Sequence, residues 1–418
     1  MKRNVVIVTA LFILCAGWLS QKKTTDTFIE KNFRLAKVQL NNMLQAVSDT
    51  SGKFPSSSAK DGTVKYARKY DWTSGFFPGI LWYAYEYDGD TALKAAAVKW
   101  TAQLAPLQYF TEHHDLGFMT YCSYGNAFRL THDTAYKNIL IRAAQSLCTR
   151  FNPVTGCIKS WDRFISWHGN RVYHFPVIID NMMNLELLFF ASRETGDPRY
   201  KDIAISHALK TIQYQVRKDY SSFHVVCYDT ATGQVEGRET AQGYADNSTW
   251  SRGQAWGIYG FTMTYRETGD ERFLKTAKGM ADYFIYHKRL PADKIPFWDF
   301  NAEEPGYRPG INSFANKVSF LYRDASAAAV TASGLLELAM YVPDSKDLYI
   351  KTAVAILKSL SGDKYKAQAG ENANFLLRHS VGSIPHNAEI DVPLVYADYY
   401  FLEALLRYNR LLQTGRSV

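Results

Sequence analysis

The segment 246–260, DNSTWSRGQAWGIYG, holds the densest set of chemically capable side chains in the sequence. Asp246, Asn247, Ser248 and Thr249 can each cap the orphan amides of a helix that follows. The first turns of that helix carry Trp250, Arg252 and Trp256. Arg252 and Trp256 lie four apart and so share one helical face. A ring beside a guanidinium grips a flat or puckered ligand that carries an anion. Two other segments have the same character. HHDLGF at 113–118 and PVIIDNMMN at 176–184 each put an aspartate, Asp115 or Asp180, at or just before an apolar helix. Together the three segments predict a sugar-acid site built from helix N-termini. On position alone, either aspartate could instead be an ordinary N-cap.

The elements that must position these residues announce themselves by a repeat. YDGDTAL at 87–93, ETGDPRY at 194–200 and ETGDERF at 267–273 share one grammar, which LTHDTAY at 130–136 and VPDSKDLY at 342–349 follow loosely. A helix ends, a glycine or polar residue makes a left-handed turn, and an aspartate or serine caps the next helix. Such turns force antiparallel neighbours. Apolar periodicity predicts about twelve helices, near 28–49, 75–87, 91–107, 117–130, 134–149, 180–194, 198–216, 250–267, 271–288, 324–341, 345–360 and 392–413. Helix pairs joined this way stack as a ring or a solenoid. In a ring the first helix of each pair lines the inside, and the longer loops 50–74, 107–116, 150–179, 217–249, 289–323 and 361–391 share one end. A site belongs at that end. No Pro/Gly/Ser linker divides residues 28–418, so one domain is expected.

Composition narrows the function classes. Aromatic residues are 15% of the 418, enough to fill a core and still furnish a carbohydrate cleft. The formal charge of +8 falls to 8 − 2 = +6 if Lys2 and Arg3 leave with a leader, a mild basicity that suits an anionic substrate. No Lys/Arg run with interleaved aromatics points to nucleic acid. Residues 1–20 read as a secretory signal peptide, with Lys2 and Arg3 before an apolar run that ends at Cys15. That run is too short to span a bilayer, so no transmembrane span is expected in the mature chain. Export, to the periplasm, is the expected fate. A lipid anchor on Cys15 is the second reading, disfavoured because Leu14 stands where a small residue belongs. Cys122, Cys148, Cys157 and Cys227 form no CxxC pair and read as buried thiols, with a disulfide from Cys157 the alternative. No phosphate loop, G-x-S-x-G elbow or metal cluster is found, and no cofactor is expected.

Several long motifs then match a known family in order and with compatible spacing. DWTSGFFPGILWYAYEYDGD at 71–90, HDLGF at 114–118, IIDNMMNLELL at 178–188, QGYADNSTWSRGQAWGIYG at 242–260, RDASAAAVTASGLLEL at 323–338 and ADYYFLEALLR at 397–407 resemble glycoside hydrolase family 88, the unsaturated glucuronyl hydrolases. The resemblance implies an all-α (α/α)6 barrel. It also implies a substrate left by polysaccharide lyases, an oligosaccharide with a 4,5-unsaturated uronic acid at its non-reducing end.

That sugar is a vinyl ether, so the accessible reaction is hydration of its double bond. An acid protonates C4, positive character develops at C5 and the ring oxygen, and water adds at C5. The hemiketal so formed rearranges and expels the aglycone. One carboxyl group can give the first proton and take one from water, helped by a second carboxylate nearby that disfavours loss of the proton. By the resemblance, Asp180 aligns with the general acid/base. Asp115 aligns with its partner, which binds sugar hydroxyls and tunes the acid. His224 aligns with a histidine near the substrate carboxylate or the attacking water, and Gln242 with a glutamine that holds that water. Ala241 stands where family members often have another histidine. Arg252 and Trp256 match substrate-binding residues, and Trp72 and Trp161 match stacking surfaces. Relatives that take sulfated fragments carry Ser-x-x-Ser-x-Lys in the last loop. Here Ser380 and Ser383 fit, Pro385 replaces the lysine, and His386 is a weak substitute.

Loop 150–179 carries extra residues, including His168, Arg171 and His174, which read as solvated loop more readily than as a lid. Asp71, Asp246 and Asp324 read as caps or structural partners. Two other classes stay open on sequence alone. One is a different catalyst on this barrel, either a lyase or an inverting hydrolase of saturated glycosides, whose carboxyl groups would stand about 6.5–9.5 Å apart. The other is a glycan-binding protein without catalysis.

Overall fold

The computed structural model describes residues 27–47 and 52–418, so residues 1–26, with the expected leader and Cys15, lie outside the described residues. Twelve helical segments follow the expected order. They are α1 (Thr27–Ala46), α2 (Phe76–Asp88), α3 (Thr91–Ala102), α4 (Gly117–Gly125 continuing as Asn126–Thr131), α5 (Thr134–Cys148) and α6 (Asn181–Thr195). The chain continues with α7 (Pro198–Tyr214), α8 (Ser251–Thr268), α9 (Glu271–Tyr286), α10 (Ala325–Leu338), α11 (Lys346–Leu360) and α12 (Val395–Thr414).

Burial sorts them into two rings. Every residue of α10 is buried, as is α8 from Ser251 to Thr264. By contrast α9 buries only a stripe through Phe273, Ala277, Met280 and Phe284, the pattern of a helix with one face to solvent. The inner helices α2, α4, α6, α8, α10 and α12 each pack on the next, and α12 returns to α2, which closes an (α/α)6 barrel. Five outer helices follow their inner partners through the tight turns. The sixth, α1, packs on both α2 and α12, so the last pair is assembled from the two ends of the domain.

The turn grammar holds in four places. Gly89, His132, Gly196 and Gly269 end inner helices with φ of 74°, 57°, 73° and 70°. Asp90, Asp133, Asp197 and Asp270 then cap the outer helices through their carboxylates. The fifth turn departs from the pattern. Pro343–Ser345 forms a 3-10 turn, and the Ser345 side chain caps nothing.

All six inner helices start at the end where the long loops lie. Those loops are not structureless: they hold short antiparallel ribbons, among them Lys53–Ser58 with Val64–Arg68 and Ser380–Ser383 with Ala388–Val392. A three-stranded sheet joins Pro176–Ile178, Val225–Tyr228 and Val235–Glu239. Strands of two to six residues inside loops are too short for periodicity to reveal. The four described cysteines are free thiols, so Cys157 makes no disulfide. Among the described residues, no helix is long and apolar enough to cross a membrane, and no group of His, Cys, Asp and Glu could hold a metal ion.

Candidate active site

The three-stranded sheet brings the central residues together. Ile178 pairs with Val225 in antiparallel register, so the residue after one faces the residue before the other, and Ile179 N donates to His224 O at 3.1 Å. The chain then turns into α6 with Asp180 at its N-cap. The third strand pairs Glu239 with Val225, which carries Ala241 and Gln242 alongside His224. Both backbone amides donate to His224 Nδ1 at 3.1 Å. With Nδ1 accepting, Nε2 carries the ring proton. It lies 3.6 Å from Asp180 Oδ2, and neither atom has a hydrogen-bond partner.

Asp180 occupies the N-cap position of α6, yet its side chain caps no amide. The structural alternative raised by its position therefore fails for this residue. It is 7% exposed, buried enough to be costly unless a ligand completes it.

Asp115 comes from the loop before α4. Its backbone carbonyl accepts from Met119 N at 2.9 Å, while its carboxylate turns to two histidines. His113 Nδ1 lies 3.0 Å from Oδ2 and His114 Nε2 3.3 Å from Oδ1. Burial alone would push this carboxyl up, but His114 and His113 outweigh it and hold Asp115 below the ordinary aspartate range. The spacing between the Asp115 and Asp180 helices is set by Gly117. A Cβ there would fall 2.5 Å from Asn184 Cα, and Phe118 N donates to Asn184 Oδ1 at 3.0 Å. The close approach coincides with a π-helical start to α4, a distortion common at functional sites.

Arg252 is placed otherwise than expected. It is 1% exposed, and its Nη1 donates to Asp324 Oδ2 at 3.0 Å. Nη2 donates to Gly382 O at 2.8 Å, and Nη1 also reaches Val381 O. The guanidinium thus ties α8 to the cap of α10 and to the 380–392 ribbon. It stacks on Trp250 at 4.5 Å and Tyr396 at 5.2 Å, not on Trp256. Trp256 is fully enclosed, packing on Phe118 and Tyr400 with ring centroids 5.2 and 5.3 Å away. The helix itself begins at Ser251, and none of residues 246–249 caps it. The preceding residue, Trp250, bridges Asp299, and Ser251 N donates to Trp298 O. Ser248 is spent on Asp299 Oδ2 at 2.7 Å.

The remaining expected residues surround this centre. Trp72 is half-buried against Phe76, Phe118 and Tyr396. Trp161 is half-buried beside Phe164. Gln242 Nε2 donates to Gly382 O at 3.3 Å. Ser380 is buried with its Oγ unpartnered, and Ser383 Oγ lies 2.6 Å from His386 Nδ1. Asp71 accepts from Thr73 N, Asp246 from Thr240 N, and Asp324 caps Ser326, so all three are structural as expected.

The extra residues His168, Arg171 and His174 are all exposed, as expected of solvated loop. Two of them still make contacts: His168 Nε2 lies 2.9 Å from Asp246 Oδ2, and Arg171 Nη1 donates to Glu236 O at 3.1 Å. Just before them Trp167, which no motif singles out, packs on His386 with ring centroids 4.7 Å apart. Glu389 is a second residue missed. It sits at φ 53° and faces Gly382, where a Cβ would meet its carboxylate at 2.5 Å.

Known proteins match this chain in sequence and in fold. The model for Glycosyl Hydrolase Family 88 matches residues 45–284. An unsaturated glucuronyl hydrolase from Formosa agariphila is 40% identical over 97% of this chain and 96% of its own. A crystal structure of an unsaturated glucuronyl hydrolase specific for heparin superposes with a TM-score of 0.85 at 47% identity, covering 93% of this chain and 98% of that one. The structure of the Bacillus sp. GL1 enzyme, responsible for glycosaminoglycan degradation, gives 0.79 at 33% identity and covers 92% and 98%. By sequence over nearly its full length and by fold, the chain belongs to glycoside hydrolase family 88.

Proposed function

We propose that the protein removes the 4,5-unsaturated uronic acid from the non-reducing end of lyase-generated, glycosaminoglycan-type oligosaccharides by hydrating the C4=C5 bond. The observation that carries this reading is the pair Asp180 Oδ2 and His224 Nε2, 3.6 Å apart, buried and otherwise unpartnered. Asp180 gives its proton to C4. As positive character grows at C5, the carboxylate left behind takes a proton from the water adding there. His224 and Gln242 border that water. Asp115, kept ionised by His114 and His113, accepts from sugar hydroxyls and offsets the developing positive charge. The N-termini of six inner helices face the same end, a field that favours the uronate carboxylate. Trp72 and Trp161 offer ring faces to the sugars.

The 380–392 ribbon supports a preference for ends without sulfate. Pro385 replaces the lysine of the sulfate-associated motif, and the Glu389 carboxylate lies on the same ribbon. Residues 1–20 support export to the periplasm, with lipidation at Cys15 the second reading. The N-terminal residue of the mature protein, read by mass spectrometry, decides between these.

The direct test is the far-ultraviolet absorbance of unsaturated disaccharides from chondroitin, hyaluronan and heparin mixed with the purified protein. A falling signal with release of the second sugar is expected, fastest on unsulfated members. A constant signal across all of them would overturn the reading in favour of saturated-glycoside hydrolysis or binding alone.

A further inference from the structure

The ribbon formed by Phe164–Ile165 and Val172–Tyr173 reaches across to the segment that holds His224. At its turn, Trp167 Nε1 donates to Ala241 O at 3.0 Å. That carbonyl belongs to the same planar peptide unit as the amide of Gln242, which donates to His224 Nδ1 at 3.1 Å. A donor on the oxygen of a peptide strengthens donation from its nitrogen and fixes the plane in which that N–H points. The consequence passes through the imidazole, because the nitrogen that accepts decides which one faces Asp180 with a proton.

Trp167 is itself firmly seated. Gly310 approaches so closely that a Cβ there would lie 2.4 Å from Trp167 Cβ, and Asn312 N donates to Trp167 O at 2.9 Å. The next residue, His168, lies 2.9 Å from Asp246 Oδ2, whose other oxygen accepts from Thr240 N at 3.1 Å. The ribbon therefore grips residues 240–246 at two points, one on either side of Gln242.

We propose that Trp167 is a positioning residue for the hydration. Its indole N–H locks the Ala241–Gln242 peptide, and that peptide, together with the Ala241 amide, holds His224 in the tautomer that presents Nε2–H to Asp180 and the water. This rests on the reading of Asp180 as the acid. If the peptide turned over, the Gln242 amide would leave Nδ1 with only the Ala241 amide as its backbone donor, and the preference for the Nε2–H tautomer would weaken. His224 would face the reacting centre part of the time with a lone pair that cannot donate.

The test replaces Trp167 with β-(3-benzothienyl)alanine, which keeps the bicyclic shape and exchanges N–H for sulfur. Trp167→Phe serves as a second variant. In ¹⁵N-labelled protein the His224 ring nitrogens report the tautomer without any need for activity. The expected result is a new population protonated on Nδ1, with kcat on the unsaturated disaccharide lower by roughly tenfold and KM within about twofold. Trp167→7-azatryptophan, which retains the N–H, should restore both. A His224 spectrum unchanged in the benzothienyl variant overturns the proposal whatever the rate. Asp180→Asn separates the two readings: retained activity there would overturn the acid assignment, while the His224 spectrum still decides the role of Trp167.

Discussion

The two ends of the barrel use the same six helices in opposite ways. At the turn end the buried charges satisfy one another. Arg266 pairs with Glu337 at 2.8 Å and with Glu186, and Arg407 pairs with Glu337 at 2.8 Å and donates to Tyr259 Oη at 2.9 Å. Ser333 Oγ donates to Glu403 Oε2 at 2.5 Å. At the loop end the polar groups are equally buried but incompletely used. Asp180 Oδ2, His224 Nε2, Arg252 Nε, Trp256 Nε1, Ser380 Oγ and Tyr396 Oη all lack partners. Since buried polar groups are rarely left unpaired, the second set is where the proposed ligand would complete the structure. The first set marks where the fold completes itself.

That contrast can be broken in both directions. The largest effect is expected from Asp180→Asn, which should cut turnover by about 10³-fold while leaving thermal unfolding nearly unchanged. Retained activity, or a large loss of stability, would erase the distinction between the ends. Glu337→Ala should do the reverse. Burial opposes the charge on Glu337, but Arg266 and Arg407 hold its carboxyl below the usual range. Removing it takes a carboxylate partner from each of two arginines, at a cost of about 3 kcal/mol in chemical denaturation, with kcat of the folded fraction preserved.

Arg252→Lys tests the boundary between the two behaviours, since Arg252 is structural by its partners yet adjoins the site. Lysine cannot reach Asp324 and the Val381 and Gly382 carbonyls together. Turnover should fall by roughly 30-fold, and hydrogen exchange should quicken in residues 380–392 but not at the turn end. The smallest effect concerns pH. Burial, reinforced by His114, pushes His207 down from 6.5 to about 3. The unfolded chain therefore binds a proton that the folded one refuses, and stability falls as pH drops from 6.5 toward 3. His207→Gln should flatten the slope of unfolding free energy over that window.

The architecture was written in the sequence where a local rule governs it. Apolar periodicity found twelve helices, and three Gly–Asp pairs with His132–Asp133 found four of the five turns with their caps, because capping needs only neighbours in the chain. The fifth turn lies where VPDSKDLY places it, but Pro343 gives it a 3-10 geometry in place of the serine cap. Asp115 and Asp180 could be proposed from their place before apolar helices, but their surroundings could not. The partnership of His224 with Asp180 depends on the register of a sheet whose strands are too short to recognise. Arg252 illustrates the opposite failure. Spacing paired it with Trp256, but the partners that satisfy its charge, Asp324 and the 380–392 ribbon, are remote in sequence, and no helical periodicity reports them.

The pairing of α1 with α12 bears on how the molecule comes into being. Every other neighbouring pair of inner and outer helices is joined by a tight turn and can form as soon as its residues are available. The last pair joins helices that begin at Thr27 and Val395. Its closure spans nearly the whole domain and carries the greatest loss of chain entropy. A growing chain can thus prepare five hairpins in advance, but the ring stays open, with the flank of α2 uncovered, until the final helix arrives.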